Sequence, residues 1–293
     1  MILAVASGKG GTGKTTVSVN LARSLDVETQ LLDCDVEEPN GYLFLDGEAG
    51  GSQEVTIPVP LVDAALCDGC NACGKFCEYN AIVSFGKIPV LFPEMCHGCG
   101  GCMKVCPRRA IQETDKRIGV IETMRSGNIT LDYGLLDVGV AMAPPLIRAV
   151  KKRIRNNTPV ILDAPPGTSC PVIAALRDVD FVLLVTEPTP FGLHDLRLAV
   201  DVTREMAIPF GVVINRLGIG DERTHDFCRK ENIPILMEIP DDRGIAEAYS
   251  RGELIVDAYP EYRNLFQQLF GRILRLAQQN VTDDTSKRRS NAR

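Results

Sequence analysis

Two groups of residues in this 293-residue chain have the types and the spacing for chemistry. The first is Gly8-Lys9-Gly10-Gly11-Thr12-Gly13-Lys14-Thr15, followed by Thr16, which fits the pattern G-x-x-x-x-G-K-[ST]. Glycines let a backbone curl until successive N–H groups face phosphate oxygens. A helix opening there adds a favourable dipole. Lys14 is then placed for β- and γ-phosphates, and the Thr15 hydroxyl for Mg²⁺. The second group is Cys67-x2-Cys70-x2-Cys73-x3-Cys77 and Cys96-x2-Cys99-x2-Cys102-x3-Cys106-Pro107. Thiolates two residues apart in a tight loop can each reach a different iron of one cube. Zinc is the alternative, but zinc ribbons use two C-x2-C pairs around one metal, not two sets of four at equal spacing.

The elements that must position these groups read as alternating strands and helices. Ile2 to Ala6 is an apolar strand before the loop, and Val17 to Leu25 a helix after it, with Val17, Leu21 and Leu25 spaced by four. Thr29 to Cys34 is a second strand, ending in Asp33-Cys34-Asp35. Carboxylates at a strand's C-terminal end lie on the ligand side of an open α/β sheet. Cys34 there is a buried, inert strand-end residue. Thr158 to Asp163 is a buried strand closing on an aspartate, the arrangement whose carboxylate helps hold Mg²⁺. Phe181 to Thr186, Phe210 to Asn215 and Ile235 to Ile239 follow as strands, separated by helices over Gly192 to Met206 and Glu222 to Asn232. The expected fold is a doubly wound, mostly parallel α/β sheet.

Around the cysteines, Gly47 to Ser52 reads as a loop. Val55 to Leu61 reads as an edge strand, kept from the sheet centre by Pro58 and Pro60. Arg117 to Met124 and Asn128 to Asp132 are strands joined by a turn at Ser126-Gly127-Asn128. Pro145 to Arg155 is a helix with a solvated basic face of Lys151, Lys152, Arg153 and Arg155. Tyr262 to Ala277 carries a 3.6-residue apolar stripe suited to core packing. Asn280 to Arg293 is polar and expected to be disordered.

Composition narrows the function. Net charge is −6, from 32 basic and 38 acidic side chains, which gives no support for a nucleic-acid partner. No apolar run approaches the roughly 20 residues that span a bilayer. A strand-like N-terminus without a basic flank is not a signal peptide, which points to the cytoplasm. Eleven cysteines in such a chain argue for metal or redox chemistry.

The form KGGTGKTT, with its early Lys9, resembles the deviant Walker A motif of the MinD/ParA class of P-loop ATPases. This class includes the nitrogenase iron protein and the Mrp-type iron–sulfur carriers. The resemblance implies a homodimer with ATP sandwiched between subunits, in which Lys9 reaches the partner's nucleotide. It implies that Asp35 orients the attacking water. Asp163-Ala164-Pro165-Pro166-Gly167-Thr168 resembles the switch II segment of Mrp-type and ferredoxin-fused members. Asn215-Arg216 and Pro240-Asp241 resemble the class's base pocket. The catalytic set implied is Lys9, Lys14, Asp35 and Asp163, with Thr15 and Asp163 on Mg²⁺.

The cysteine runs are similar to those of bacterial two-cluster ferredoxins. There the fourth cysteine begins the next helix, points away and ligates the other cluster. By that rule Cys67, Cys70, Cys73 and Cys106 hold one 4Fe–4S cluster, and Cys77, Cys96, Cys99 and Cys102 the other. Glycines 69, 74, 98, 100 and 101 free backbone N–H groups for sulfur. The first run ends in Cys77-Glu78 instead of Cys-Pro. His97, beside Cys96, is not a ligand, since all eight positions are filled. Cys170 stands where the nitrogenase iron protein has a ligating cysteine, but no second one lies between Cys106 and Cys170, so it reads as a switch-loop residue. The Mrp-type carriers have a late C-x-x-C where this chain has Cys228 alone.

The resemblance thus implies an ATPase domain over residues 1–60 and 117–279, a ferredoxin domain inserted at residues 61–116, and a tail at 280–293. The implied function is ATP hydrolysis coupled to electron transfer through two clusters, with an unidentified redox or cluster-accepting protein as partner. An iron–sulfur assembly or carrier ATPase is one alternative. A MinD-like positioning ATPase, its clusters structural or sensing, is another.

Overall fold

The apolar run after Met1 forms strand β1 (Ile2–Ala6), and the glycine loop leads into helix α1 (Lys14–Ser24) and then strand β2 (Thr29–Asp33). The computed structural model describes the backbone of residues 1–290 and the side chains of residues 1–279. Next come β3 (Glu48–Val62), a small cysteine-rich unit, β6 (Ile111–Ser126), β7 (Ile129–Leu136) and α4 (Pro144–Lys151). The unit contains α2 (Ala72–Phe76), β4 (Ile82–Val83), β5 (Val90–Leu91) and α3 (Gly101–Lys104). The chain continues as β8 (Val160–Asp163), α5 (Cys170–Leu176), β9 (Phe181–Thr186), α6 (Pro190–Glu205) and β10 (Phe210–Leu217). It closes with α7 (Arg223–Lys230), β11 (Ile235–Pro240), α8 (Arg243–Ser250), α9 (Ile255–Ala258) and α10 (Pro260–Ser290).

Nine strands form one sheet in the order β11-β10-β9-β1-β8-β2-β7-β6-β3. From β11 to β7 every pairing is parallel, while β6 and β3 are antiparallel to their neighbours. Parallel strands need both faces covered, which is why VILD and FVLLVT are continuous apolar runs. Alternate side chains of β1 enter opposite cores. Leu3 and Val5 pack with α1 and with Phe266, Leu269 and Ile273 of α10. Ala4 and Ala6 share a core with Leu146 and Val150 of α4, Val172 of α5 and Leu196 of α6. The stripe on α10 is therefore used for packing. Among the described residues no helix is long and apolar enough to cross a membrane.

Several expectations are corrected. Of the loop expected at Gly47 to Ser52 only Gly47 stays outside a strand, because β3 begins at Glu48 and pairs with β6 from Arg125 onward. A register shift between Ala49 and Gly51 absorbs the glycines, and cross-strand pairing overrides their low strand propensity. Pro58 and Pro60 do lie in the edge strand, as expected. The two long strands pair out to Val62 opposite Ile111, so residues 63–110 sit at the tip of a hairpin whose arms belong to the main sheet.

The helix expected to reach Arg155 ends at Lys151, and its basic cluster is not simply solvated. Lys151 turns inward and donates to the carbonyls of Ala174, Ala175 and Arg177, capping the end of α5, where helical carbonyls lack partners. Arg153 bonds Thr123 Oγ1 at 3.2 Å and pairs with Asp132 at 3.5 Å, and Arg155 reaches Thr130 Oγ1 at 3.3 Å. The tail expected to be disordered continues α10 as helix to Ser290, and residues 291–293 lie outside the described residues.

Candidate nucleotide and cysteine sites

Because β1 lies between β8 and β9, with β2 beyond β8, the C-terminal strand ends gather the sequence-distant carboxylates around the glycine loop. The loop curls tightly at Gly13, whose φ is +93°. A side chain there would also run into the Asn215 amide. That amide donates to the Thr12 carbonyl at 2.8 Å, so Asn215, at the irregular end of β10, holds the loop as well as lining the cleft. Gly13 O accepts from Val17 N at 2.9 Å and starts α1.

A cleft of about 570 Å³ opens here, within the usual size of a small-ligand site. Its wall brings together Gly10, Gly11, Gly13, Lys14, Thr15, Thr16, Asp35, Asn215, Pro240 and Asp241 from the expected set. Asp242, the N-cap of α8, and Ile245, Ala246 and Tyr249 within that helix also line it, which sequence reading missed. The available signal was Asp242 itself, an N-cap whose Oδ1 accepts from Ile245 N at 3.0 Å.

Four of the expected residues, Gly8, Lys9, Thr12 and Asp163, stand apart from this wall. Gly8 packs against the Asp195 carbonyl so closely that a Cβ would collide with it. Thr12 is buried, its Oγ1 without a partner. Lys9 turns to Glu187, with Nζ 3.4 Å from Oε2.

Asp163 ends β8 nearly fully buried, and neither of its carboxylate oxygens accepts a hydrogen bond. The Thr15 and Ser18 hydroxyls approach without completing one. Two orphaned carboxylate oxygens beside a threonine hydroxyl fit a hard divalent cation, which takes oxygen ligands. Burial drives Asp163 upward. Asp33 is also raised, first by burial and then by the charge of Asp163. Its role was missed: Oδ1 accepts from Asp35 N at 3.0 Å, and Oδ2 from Asn40 N at 3.1 Å and Gly41 N at 3.0 Å, which shapes the loop carrying Asp35. Burial pushes Asp35 up to about 6 against the opposing pull of Lys14.

These shifts have a measurable sign. An unfolded carboxyl ionises near its ordinary value, and a raised folded one only later. Stability present at low pH is therefore lost as pH climbs from about 4 through about 6 in the case of Asp35. A bound cation opposes that loss. Mg²⁺ should raise the Tm of the nucleotide-free chain more at about pH 7.5 than at about pH 5, and Asp163→Asn should remove most of the gain. Equal gains at both pH values would contradict the cation reading.

In the cysteine-rich unit, left-handed residues, Asn71 at φ +59° and Gly100 at φ +67°, open the short helices α2 and α3. The helix lies between the second and fourth cysteines of each run. The fourth cysteine therefore does not begin a helix: Cys77 is the C-cap of α2, and Cys106 follows α3. One cavity is lined by Cys67, Cys70, Cys73 and Cys106. A second is lined by Cys77, Cys96, Cys99 and Cys102. Gly98 N donates to Cys96 Sγ at 3.5 Å, and Ala110 N, an unexpected donor, to Cys106 Sγ at 3.3 Å. Eight cysteines lining two cavities four and four, with a backbone N–H on one sulfur of each set, form a donor set that suits iron–sulfur cubes. The exposed ring of His97 stacks on Tyr79 with centroids 3.5 Å apart, at the second cavity. Cys34 and Cys228 are fully buried, and burial raises both thiols, which marks them as inert. Cys170 is exposed at the first residue of α5.

A strand-loop-helix phosphate cradle on a parallel sheet, with carboxylates at neighbouring strand ends, defines a P-loop nucleotide-binding protein. Residues 3–255 match the CbiA family, described as the CobQ/CobB/MinD/ParA nucleotide binding domain, and the chain belongs to that family. An uncharacterised protein of Methanocaldococcus jannaschii is 33% identical over 94% of this chain and 98% of its own length. An iron-sulfur cluster carrier protein of Aquifex aeolicus is 25% identical over 89% of this chain and 63% of its own length. The cell division ATPase MinD of Pyrococcus furiosus shares the fold with a TM-score of 0.59 at 22% identity, covering 94% of this chain and 98% of that one. MinD of Pyrococcus horikoshii, solved with Mg-ADP, gives 0.56 at 23% identity, covering 92% and 93%.

Proposed function

We propose that this chain is an ATP-hydrolysing iron–sulfur protein that pairs around ATP and couples its nucleotide state to electron transfer. One observation carries the reading. Two cavities, each lined by four cysteines drawn crosswise from the two runs, sit at the tip of a hairpin whose arms extend the nucleotide-binding sheet. Cys67, Cys70, Cys73 and Cys106 would hold one 4Fe–4S cluster, and Cys77, Cys96, Cys99 and Cys102 the other. Such clusters supply one-electron transfer when bound. Lys14 and the loop amides would hold the phosphates, Thr15 and Asp163 the Mg²⁺, and Asp35 the attacking water. Asn215, Pro240 and Asp241 would face the base.

Lys9 would act across the dimer. Lys9→Ala should keep nucleotide binding while losing ATP-dependent pairing in sedimentation, and wild-type pairing by that variant would remove the trans role.

The iron-sulfur cluster carrier relatives favour a second reading, in which the clusters are cargo. Four thiolates around each cavity leave no open position for release, which favours retained clusters. Incubation of the loaded protein with an apo-acceptor separates the two. Retention of iron through ATP turnover supports electron transfer, and stoichiometric transfer to the acceptor supports the carrier.

A further inference from the structure

The end of β9 lies between those of β1 and β10, and directly after it stands the carboxylate of Glu187, outside the cleft wall. Glu187 is 9% exposed at its side chain. Its two oxygens serve two cations from the neighbouring strand ends. Oε2 lies 3.4 Å from Lys9 Nζ, and Oε1 lies 3.1 Å from Arg216 Nη1. The backbone around it is pinned, with the Glu187 carbonyl accepting from Thr189 N at 2.8 Å. Arg216 adopts φ +54° directly after Asn215, which holds the Thr12 carbonyl. A single buried acid thus ties the mouth of the phosphate loop to the irregular end of β10.

We infer that Glu187 is a positioning residue that parks Lys9 within its own subunit and sets the threshold for nucleotide-dependent pairing. This rests on the reading of Lys9 as a residue acting across the dimer. Lys9 cannot serve the partner's nucleotide while it is held by Glu187, so pairing must break that contact. The double pairing makes the break feasible. When Lys9 leaves, Arg216 still neutralises Glu187, and no unpaired buried charge is stranded. Lys9 itself is 32% exposed, so the released ammonium regains water or meets phosphate.

The test is sedimentation of the anaerobically purified full chain with Mg²⁺ and a non-hydrolysable ATP analogue. Nucleotide affinity and Tm are measured alongside. Glu187→Gln keeps size and packing but loses the charge. It should pair at about tenfold lower protein concentration than wild type, a ~1.4 kcal/mol change, with nucleotide affinity of the monomer unchanged. Glu187→Asp, which retains the charge, should return towards wild type. In the Lys9→Ala background the Glu187→Gln effect should vanish, because it acts through Lys9.

Pairing by Glu187→Gln that is unchanged or weaker than wild type overturns the inference, as does a gain that persists without Lys9. If Lys9→Ala alone pairs like wild type, the trans reading of Lys9 has failed. If Lys9→Ala loses pairing while Glu187→Gln behaves as wild type, the trans reading stands and only the parking role fails.

Discussion

Lys14→Ala should cost two to three orders of magnitude in ATP affinity, about 3–4 kcal/mol, the scale for truncating one partner of a desolvated charge pair. Lys14 is 6% exposed at the first position of α1 and forms part of the cleft wall. Its ammonium is the cation that opposes the upward shift of Asp35, so the variant should also move Asp35 further up. Two defects then combine: weaker phosphate binding, and a smaller ionised fraction of the residue proposed to orient water. The fold should survive, because the helix is held by Val17, Val19 and Leu21 in the core rather than by Lys14. Titration with a fluorescent ATP analogue, with Tm as control, reads the loss. Near-wild-type affinity in a folded variant would displace Lys14 from the phosphates.

Cys77→Ser should damage a cluster that is not built from its own run. Cys77 caps α2 but faces the cavity of Cys96, Cys99 and Cys102. Cys106 conversely faces the cavity of Cys67, Cys70 and Cys73. The loaded protein should carry about eight irons per chain. Cys77→Ser and Cys99→Ser should therefore share one altered electron paramagnetic resonance signature, and Cys106→Ser and Cys70→Ser another. A pairing of Cys77→Ser with Cys70→Ser would contradict the crossed assignment. Zinc at two atoms per chain, with no iron after anaerobic reconstitution, would remove the clusters altogether.

Much of this was legible in the sequence because it is local. The phosphate loop is eight consecutive residues between a strand and a helix, and each cysteine run is a fixed spacing within one short loop and helix. The place of Asp163 at a buried strand end was legible because an apolar run closes on it. The residues that escaped depend on contacts between distant segments. Glu187 gains its meaning from Lys9 and Arg216, which reach it only because β9 lies between β1 and β10. Asp33 reads like any strand-end acid until Asn40 and Gly41 fold back onto it. Lys151 belongs to a basic cluster that looks solvated, yet it caps a helix that begins 19 residues later in the sequence. The first residues of β3 have glycine-rich, loop-like composition and become strand because β6 pairs with them. Local pattern carries the chemistry here, while tertiary pairing carries its arrangement.

That arrangement bears on coupling. β2 ends in Asp33 and pairs with β7; β7 pairs with β6, and β6 with the arm that supports the cysteine unit. A buried polar network ties the same strands together: Gln30 Nε2 bonds Asp132 Oδ2 at 2.8 Å, and Thr123 Oγ1 bonds Asp132 Oδ1 at 2.6 Å. Movement at the Asp35 loop therefore has a hydrogen-bonded route to the hairpin. Linkage makes any such coupling reciprocal, and a tenfold preference needs only ~1.4 kcal/mol.

The most direct test of the coupling is a potentiometric titration of both clusters with and without Mg²⁺ and a non-hydrolysable ATP analogue, accompanied by electron-transfer rates to a small-molecule acceptor. If ATP binds the reduced form about tenfold more tightly than the oxidised form, one cluster's potential rises by about 59 mV. A shift of that order, or a nucleotide-dependent change in rate at fixed potential, is the expected result. Unchanged potentials together with unchanged rates would contradict it.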